Sequence, residues 1–344
     1  MGKLWIKTFL VTAALTLLAF PGCEKAEPVV VPEIVLPTTD TYNIEYVTPR
    51  SAFCSGAVSS RGNSVLIEKG ICCDDEPLPD TLDIRIAAYP YSVETYLTGY
   101  TVLISGLVPN TTYYVRSYVI TKDGTVYGNE LSFTTPSDLS GEEGTLTDIE
   151  GNTYRTISIG TQVWTAENLK TTKFNDGTDI EELTEGNMWY FRCTPAYCWY
   201  DNDEEKYRDL YGALYNFYVG QTGKVCPEGW RVPTDDDWTI LESYLGGGDV
   251  AGIKLKEAGF EHWNGPYENS FHAATNESGF TGLPGGCRTP DGAFAKVGTD
   301  NFFWSSTGNG TGAWYRVQSL YGDFNFRGCL SIGYGGSLRC VKDQ

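Results

Sequence analysis

A chain of 344 residues is long enough for two domains. Its 41% hydrophobic and 20% charged residues exclude a disordered chain and fit a globular one. With 44 acidic against 25 basic side chains, a formal net charge of -19 and no basic cluster, the surface repels nucleic acid and anionic head groups, so nucleic acid is excluded as a partner.

The first segment reads as a processing signal. Lys3 and Lys7 supply a charged start, and an apolar stretch runs from Phe9 to Phe20. It is short for a membrane span and no stop-transfer pattern follows. Gly22-Cys23 closes it. The stretch MGKLWIKTFLVTAALTLLAFPGC resembles a bacterial lipoprotein signal covering residues 1–22, which implies lipidation of Cys23. Several acyl chains on that cysteine anchor firmly, where a single chain holds only marginally. The expected location is therefore the cell envelope, at the outer membrane or cell surface, with the membrane as a partner through the lipid. Residues 23–37, rich in Pro and Val with scattered acid, read as an extended tether.

Residues 38–136 hold short runs of β-branched and aromatic residues separated by Gly, Asn and Pro. In TYYVRSYVIT (112–121) Tyr114, Tyr118 and Ile120 share one face, and Tyr113, Val115 and Val119 the other. Such spacing predicts a β-sandwich. The stretch ISGLVPNTTYYVRSYVITKDGTVYGNELSFTT (104–135) resembles the fibronectin type III-like modules of bacterial surface lipoproteins. That resemblance implies a fibronectin/immunoglobulin-like sandwich that spaces or binds partners without catalysis. Its tyrosines are expected in the core and at the corner.

Export permits disulfides. Of the ten cysteines, Cys23 aside, Cys54, Cys72 and Cys73 lie early, and Cys193, Cys198, Cys226, Cys287, Cys329 and Cys340 late. The split predicts one early pair, Cys54 with Cys72 or Cys73, and up to three late ones. Structural zinc is not expected, because no paired CxxC occurs and His262 and His272 sit apart from the cysteines.

Residues 137–144, turn-forming and acidic, read as a linker. Beyond it lie all the tryptophans except Trp5, so the second half has a different core. DIEGNTY and TISIGTQVW predict hairpins at Gly151 and Gly160. YGALYNFYVG predicts a short helix ended by glycine, and DVAGIKLKEAG another. In CPEGWRVPTDDDW (226–238), Thr234 is a natural N-cap and Asp237 stands three residues on, approximating a capping box. Asp235, Asp236 and Asp237 then meet the positive helix end. Trp238, Leu241 and Leu245 form one buried stripe. Adjacent helix positions diverge by about 100°, so these acids cap a helix and do not converge on an ion.

The motifs DIEGNTYRTISIGTQVWTAENLK, YGALYNFY, CPEGWRVPTDDDW, NESGFTGLPGG, FFWSST, AWYR and GGSLRCVKD resemble, in order, the Fibrobacter succinogenes major paralogous domain, over residues 145–344. The order also resembles a C-type-lectin-like fold, an α+β domain. That fold pairs its first and last core cysteines, which implies Cys226 with Cys340. Cys287 with Cys329 is a further expected pair, and Cys193 with Cys198 closes the loop CTPAYC locally. The overall expectation is β-rich: a sandwich followed by an α+β lectin-like domain.

Candidate binding residues follow from residue type. Trp304 and Trp314, in NFFWSSTGNGTGAWYR, and Trp263 and Tyr267, in EHWNGPYEN, offer flat rings to a sugar face; core packing is the competing role. Asp201, Asp203 and Glu205 alternate as calcium ligands do, although the glycine and terminal Glu of an EF-hand are missing. No nucleophile elbow, phosphate loop or dinucleotide fingerprint occurs, and no cofactor is expected. The ending SLRCV echoes formylglycine-generating enzymes, but Cys329 and Cys340 match their cysteine pair poorly. The expected function is non-catalytic binding or adhesion, with a glycan as ligand or a surface protein as partner. A structural assembly role is the alternative, and a divergent enzyme a more distant one.

Overall fold

The β-branched runs of the first half become strands: β1 (Thr38–Glu45), β2 (Ser51–Ser60), β3 (Leu66–Asp74), β4 (Ile84–Ala87), β5 (Gly99–Ser105), β6 (Thr112–Thr121) and β7 (Gly124–Thr134). This computed structural model describes residues 33–88, 99–265, 273–310 and 312–343. Cys23, the signal 1–22, most of the tether and Tyr267 lie outside them. One sheet runs β1-β2-β5 and a second β4-β3-β6-β7. They face each other across one core, where Ala52, Cys54, Val102 and Ile104 meet Ile71, Cys73, Tyr113 and Val115. The alternation on β6 holds for Tyr113, Val115 and Val119. A register shift between Arg116 and Tyr118 accompanies burial of Tyr118 as well, and its hydroxyl donates to Glu68 Oε1.

The early cysteine pair is not formed. Cys54, Cys72 and Cys73 are buried free thiols. Cys54 and Cys73 serve as small apolar residues of the shared core, and Cys72 Sγ donates to the carbonyls of Pro79 and Arg116. Burial pushes the Cys54 and Cys73 thiols up to about 12, so they stay protonated and unreactive.

The second half is built from β8 (Glu143–Thr147), β9 (Thr153–Ile159), β10 (Gln162–Thr165), β11 (Glu181–Glu182), α1 (Gly186–Trp189), β12 (Ala196–Cys198), α2 (Glu204–Tyr211), β13 (Leu214–Asn216), α3 (Phe217–Gln221) and β14 (Trp230–Arg231). It continues with α4 (Asp235–Tyr244), α5 (Gly248–Leu255), β15 (Gly285–Arg288), β16 (Phe294–Val297), β17 (Asp300–Asn309), β18 (Gly312–Ser319), β19 (Asn325–Ser331), β20 (Gly335–Gly336) and β21 (Val341–Lys342). One sheet has the order β14-β21-β10-β9-β8. The other runs β11-β12-β13-β20-β15-β17-β18-β19, with β16 paired to β15. The molecule is thus β-rich, with several sheets. Both expected hairpins form, with Gly151 and Gly160 at φ of 85° and 64°, where a side chain is strained. YGALYNFYVG differs from expectation: Leu214–Asn216 pair between β12 and β20, and only Phe217–Gln221 turn into helix. Leu214 and Tyr215 are both buried, so sheet pairing overrides the local helical preference.

The segment 137–144 is not a free linker. Asp138 accepts from Arg50 Nε at 2.8 Å and from the Tyr244 hydroxyl at 3.0 Å. Ser140 Oγ accepts from Gly160 N, and β8 begins within the segment. Tyr46 also donates to Asp236 Oδ1 at 2.8 Å. These contacts join the two halves, and the chain from Val35 onward forms one compact unit.

Thr234 caps α4 with a complete capping box: Thr234 Oγ1 accepts from Asp237 N, and Asp237 Oδ2 accepts from Thr234 N. Trp238 and Leu241 are fully buried behind it, with Trp238 against Trp164 at 4.8 Å and Phe303 at 5.5 Å between ring centroids. Thr234→Ala is expected to lower stability by about 0.5–2 kcal/mol in urea denaturation and to leave ligand binding unchanged.

Three arginines are almost wholly buried. Arg339 donates to the carbonyls of Thr165, Phe280 and Thr281 and to Asn168 Oδ1. Burial without a carboxylate partner among these lowers its pKa to about 9. Arg288 lies between Trp189 and Phe294 and donates to the carbonyls of Leu183 and Thr184. Arg316 pairs with Asp235 and Glu242.

Candidate functional site

The expected binding residues separate on folding. Trp304 is 2% exposed and its Nε1 donates to the Tyr215 carbonyl at 2.9 Å, so it is a core residue. Trp314 is half-buried, with the Arg327 guanidinium 3.5 Å from its ring centroid, which covers one face. Trp263 is 3% exposed; it anchors its loop, with Lys256 Nζ 5.5 Å from its ring.

The expected calcium ligands do not converge either. Asp203 caps α2 by accepting from Lys206 N at 3.1 Å, and Glu205 lies in the first turn of that helix. Asp201 takes a φ of 53° in the preceding turn. This acidic stretch leads into a helix N-terminus, where free N–H groups and the helix dipole favour acids.

Cys226 and Cys340 form a disulfide across a sequence separation of 114. The other late pairs are absent: Cys193, Cys198, Cys287 and Cys329 are free. Cys287 on β15 and Cys329 on β19 are separated by β17 and β18. Three strand spacings of about 4.8 Å exceed the roughly 7 Å that a bridge tolerates between Cα atoms. Cys193 is exposed while Cys198 is buried among Trp189, Tyr200 and Leu214. Burial pushes the Cys198 thiol up to about 12.

A cleft of about 270 Å³ opens between α2, the loop after α5 and the turn after β16. Tyr207, Leu210 and Tyr211 form its apolar floor. Lys206, His262 and Asn264 form a polar rim, and Val297 and Gly298 close one side. Asn264 N donates to the Gly298 carbonyl at 2.7 Å, which ties the loop to the turn. Burial and the nearby Glu257 charge raise the Tyr211 phenol. A neighbouring cavity of about 310 Å³ is lined by Arg155 and Glu167 and by Lys170 and Asp209, which already pair with each other.

Beside the cleft, Glu257, Glu261 and His262 each bring a ligand atom within 4.8 Å of the others. His262 Nδ1 and Glu257 Oε1 stand 2.7 Å apart. This is the tight group of potential metal ligands among the described residues. The sequence reading placed Trp263 in this loop and missed its neighbours. The available signal was the run EAGFEHWN, in which two acids and a histidine lie within six positions.

Fold and site together define a β-rich, disulfide-linked domain with a small aromatic cleft. Residues 157–342, more than half of the chain, match the family model of the Fibrobacter succinogenes major domain, and the chain belongs to that family. No curated protein matches it. Among solved structures, the sensor domain of the anti-sigma factor RsgI4 from Pseudobacteroides cellulosolvens is similar at 18% identity, over 30% of this chain and 99% of that one, with a TM-score of 0.24. A structure described as a myokine is similar at 16% identity, over 30% and 100%, with a TM-score of 0.21.

Proposed function

We propose that this is an exported, lipid-anchored surface protein that binds a glycan without catalysis, through the cleft at Tyr207 and Tyr211. The cleft carries the reading: Tyr207 and Tyr211, largely buried, line with Leu210 an opening edged by the donors and acceptors of Lys206, His262 and Asn264. Sugars present an apolar face and a hydroxyl rim, which such a site complements. Its volume suits a small terminal group, lying just below the roughly 300–1,000 Å³ of drug-sized ligand sites. The N-terminal pair of sheets acts as a fibronectin type III-like spacer. In support, Tyr113 at the start of β6 accepts from Val108 N at 3.1 Å, the corner tyrosine of such sandwiches. The lectin-like reading of the second half is supported by the bridge from Cys226 to Cys340 just before the last strand. That bridge also consumes Cys340, which weakens the formylglycine-type enzyme reading. No helix among the described residues is long and apolar enough to cross a membrane; attachment through Cys23 rests on the resemblance of residues 1–22 to a lipoprotein signal.

A glycan array probed with the chain from residue 24 onward tests the reading. Binding to a restricted set of sugars, weakened at least tenfold by both Lys206→Ala and Asn264→Ala, is expected. An empty array, or unchanged binding by both variants, refutes it. The assembly role has its own observation, the exposed Phe326 on the sheet-edge strand β19 and Phe324 just before it. Stable oligomers together with an empty array favour that role.

A further inference from the structure

We propose that Glu257, Glu261 and His262 form a divalent-cation site at the edge of the cleft, selective for a zinc-type transition metal over calcium or magnesium. One donor atom from each residue lies within 4.8 Å of the other two. Bonds of about 2.0–2.2 Å place donors roughly 3.5 Å apart around a tetrahedral ion. Donors up to 4.8 Å apart must therefore close by no more than roughly 1.3 Å to share one ion.

The backbone holding these side chains is fixed at both ends. Glu257 N donates to the Gly282 carbonyl at 3.0 Å and Asn264 N to that of Gly298 at 2.7 Å. Between them Trp263 is buried and pins the residue that follows His262. Ligands on an anchored loop lose little freedom when the ion arrives.

The charges point the same way. Among the described residues, neither Glu257 nor Glu261 pairs with a lysine or arginine; the imidazole of His262 is the partner of Glu257. Lys256, next in the chain, sends its Nζ to the carbonyls of Ser319 and Gly322, both at 2.8 Å. Glu257 is mostly buried, its side chain 15% exposed. Two neighbouring carboxylates repel unless a cation lies between them. Carboxylates alone suit calcium or magnesium, but an imidazole nitrogen in the set favours zinc, nickel or copper. Loading exchanges the 2.7 Å Glu257–His262 hydrogen bond for bonds to the ion. The site is independent of the glycan reading and is probed with the metal alone, so either reading can fail without the other.

Isothermal titration with zinc chloride, in excess calcium and magnesium, tests the site. The untagged chain from residue 24 carries Cys193→Ser and Cys329→Ser, since these exposed thiols bind zinc themselves. One ion per chain is expected, with binding weakened at least tenfold by His262→Ala and by Glu261→Gln. Glu261 is exposed and outside the core, so the second variant remains informative if the first loosens the loop. Metal-free melting curves identify a folding defect. Absence of zinc binding, tighter binding of calcium, or zinc binding that survives both substitutions overturns the proposal.

Discussion

Arg316→Ala is expected to remove about 3–5 kcal/mol of stability, the range for breaking a buried ion pair by deleting one partner. Arg316 is completely buried. Its Nε lies 2.6 Å from Glu242 Oε1 and its Nη1 2.7 Å from Asp235 Oδ1. Asp235 retains Arg327 at 2.7 Å, but Glu242 keeps only the neutral Asn325 amide at 2.8 Å. The loss therefore falls mainly on Glu242. Burial already holds the Glu242 carboxyl above its ordinary 4.5 despite Arg316, and removing the guanidinium raises it further. A raised carboxyl contributes stability that is present below 4.5 and lost as pH rises through the folded value. The deficit of the variant is thus smaller near pH 5 than near pH 8. Asp235 has the opposite sign. Burial alone raises it, but hydrogen bonds from Arg327 and Arg316 outweigh that and bring it below 3.8. Its contribution is present above pH 3.8 and lost below. Urea titrations at pH 5 and pH 8 read the Glu242 effect, and a third below pH 3.8 reads that of Asp235. A deficit under 1 kcal/mol, or one larger at pH 5, contradicts this account. The double variant Arg316→Met, Glu242→Leu removes both charges and is expected to recover most of the loss.

Replacing both Cys226 and Cys340 by serine is expected to cost about 2–5 kcal/mol. The bridge closes a loop with a sequence separation of 114, and cross-links over long loops remove the most freedom from the unfolded chain. Both sulfurs lie in the core beside Trp304, Phe217 and Leu338, so serine also places two hydroxyls among apolar groups. Cys193→Ser and Cys329→Ser, at exposed free thiols, are expected to stay within about 0.5 kcal/mol of the parent. Equal losses in the two experiments, or a bridge elsewhere in non-reducing peptide maps, run against the prediction.

Much of the architecture was legible where local chemistry and tertiary packing agree. Thr234 and Asp237 announce the start of α4 because capping is a short-range interaction. The hairpins at Gly151 and Gly160 depend on the backbone freedom of one residue each. Legibility ends where distant partners decide. Leu214–Asn216 adopt a strand because β12 and β20 flank them, though their own run suggests a helix. Nothing local marks Arg288, Arg316 and Arg339 as interior residues, yet they fasten loops from inside through carbonyls and carboxylates far away in sequence. For the site, residue type alone misleads: Trp304 and Trp263 have suitable rings, but both are buried. Tyr207 and Tyr211 are largely buried too, but they line the cleft from positions four apart on one helix.

The position of β21 governs the order in which the molecule can assemble. This late segment, Val341–Lys342, lies between β14 and β10 rather than at an edge, and Cys340 immediately precedes it. As the chain emerges residue by residue, β10 and β14 are made long before the strand that joins them. The sheet cannot close, nor the cross-link form, until the chain through Lys342 is present. A nascent chain therefore stays open over this domain until its late residues arrive, and the oxidation that joins Cys226 to Cys340 follows that closure.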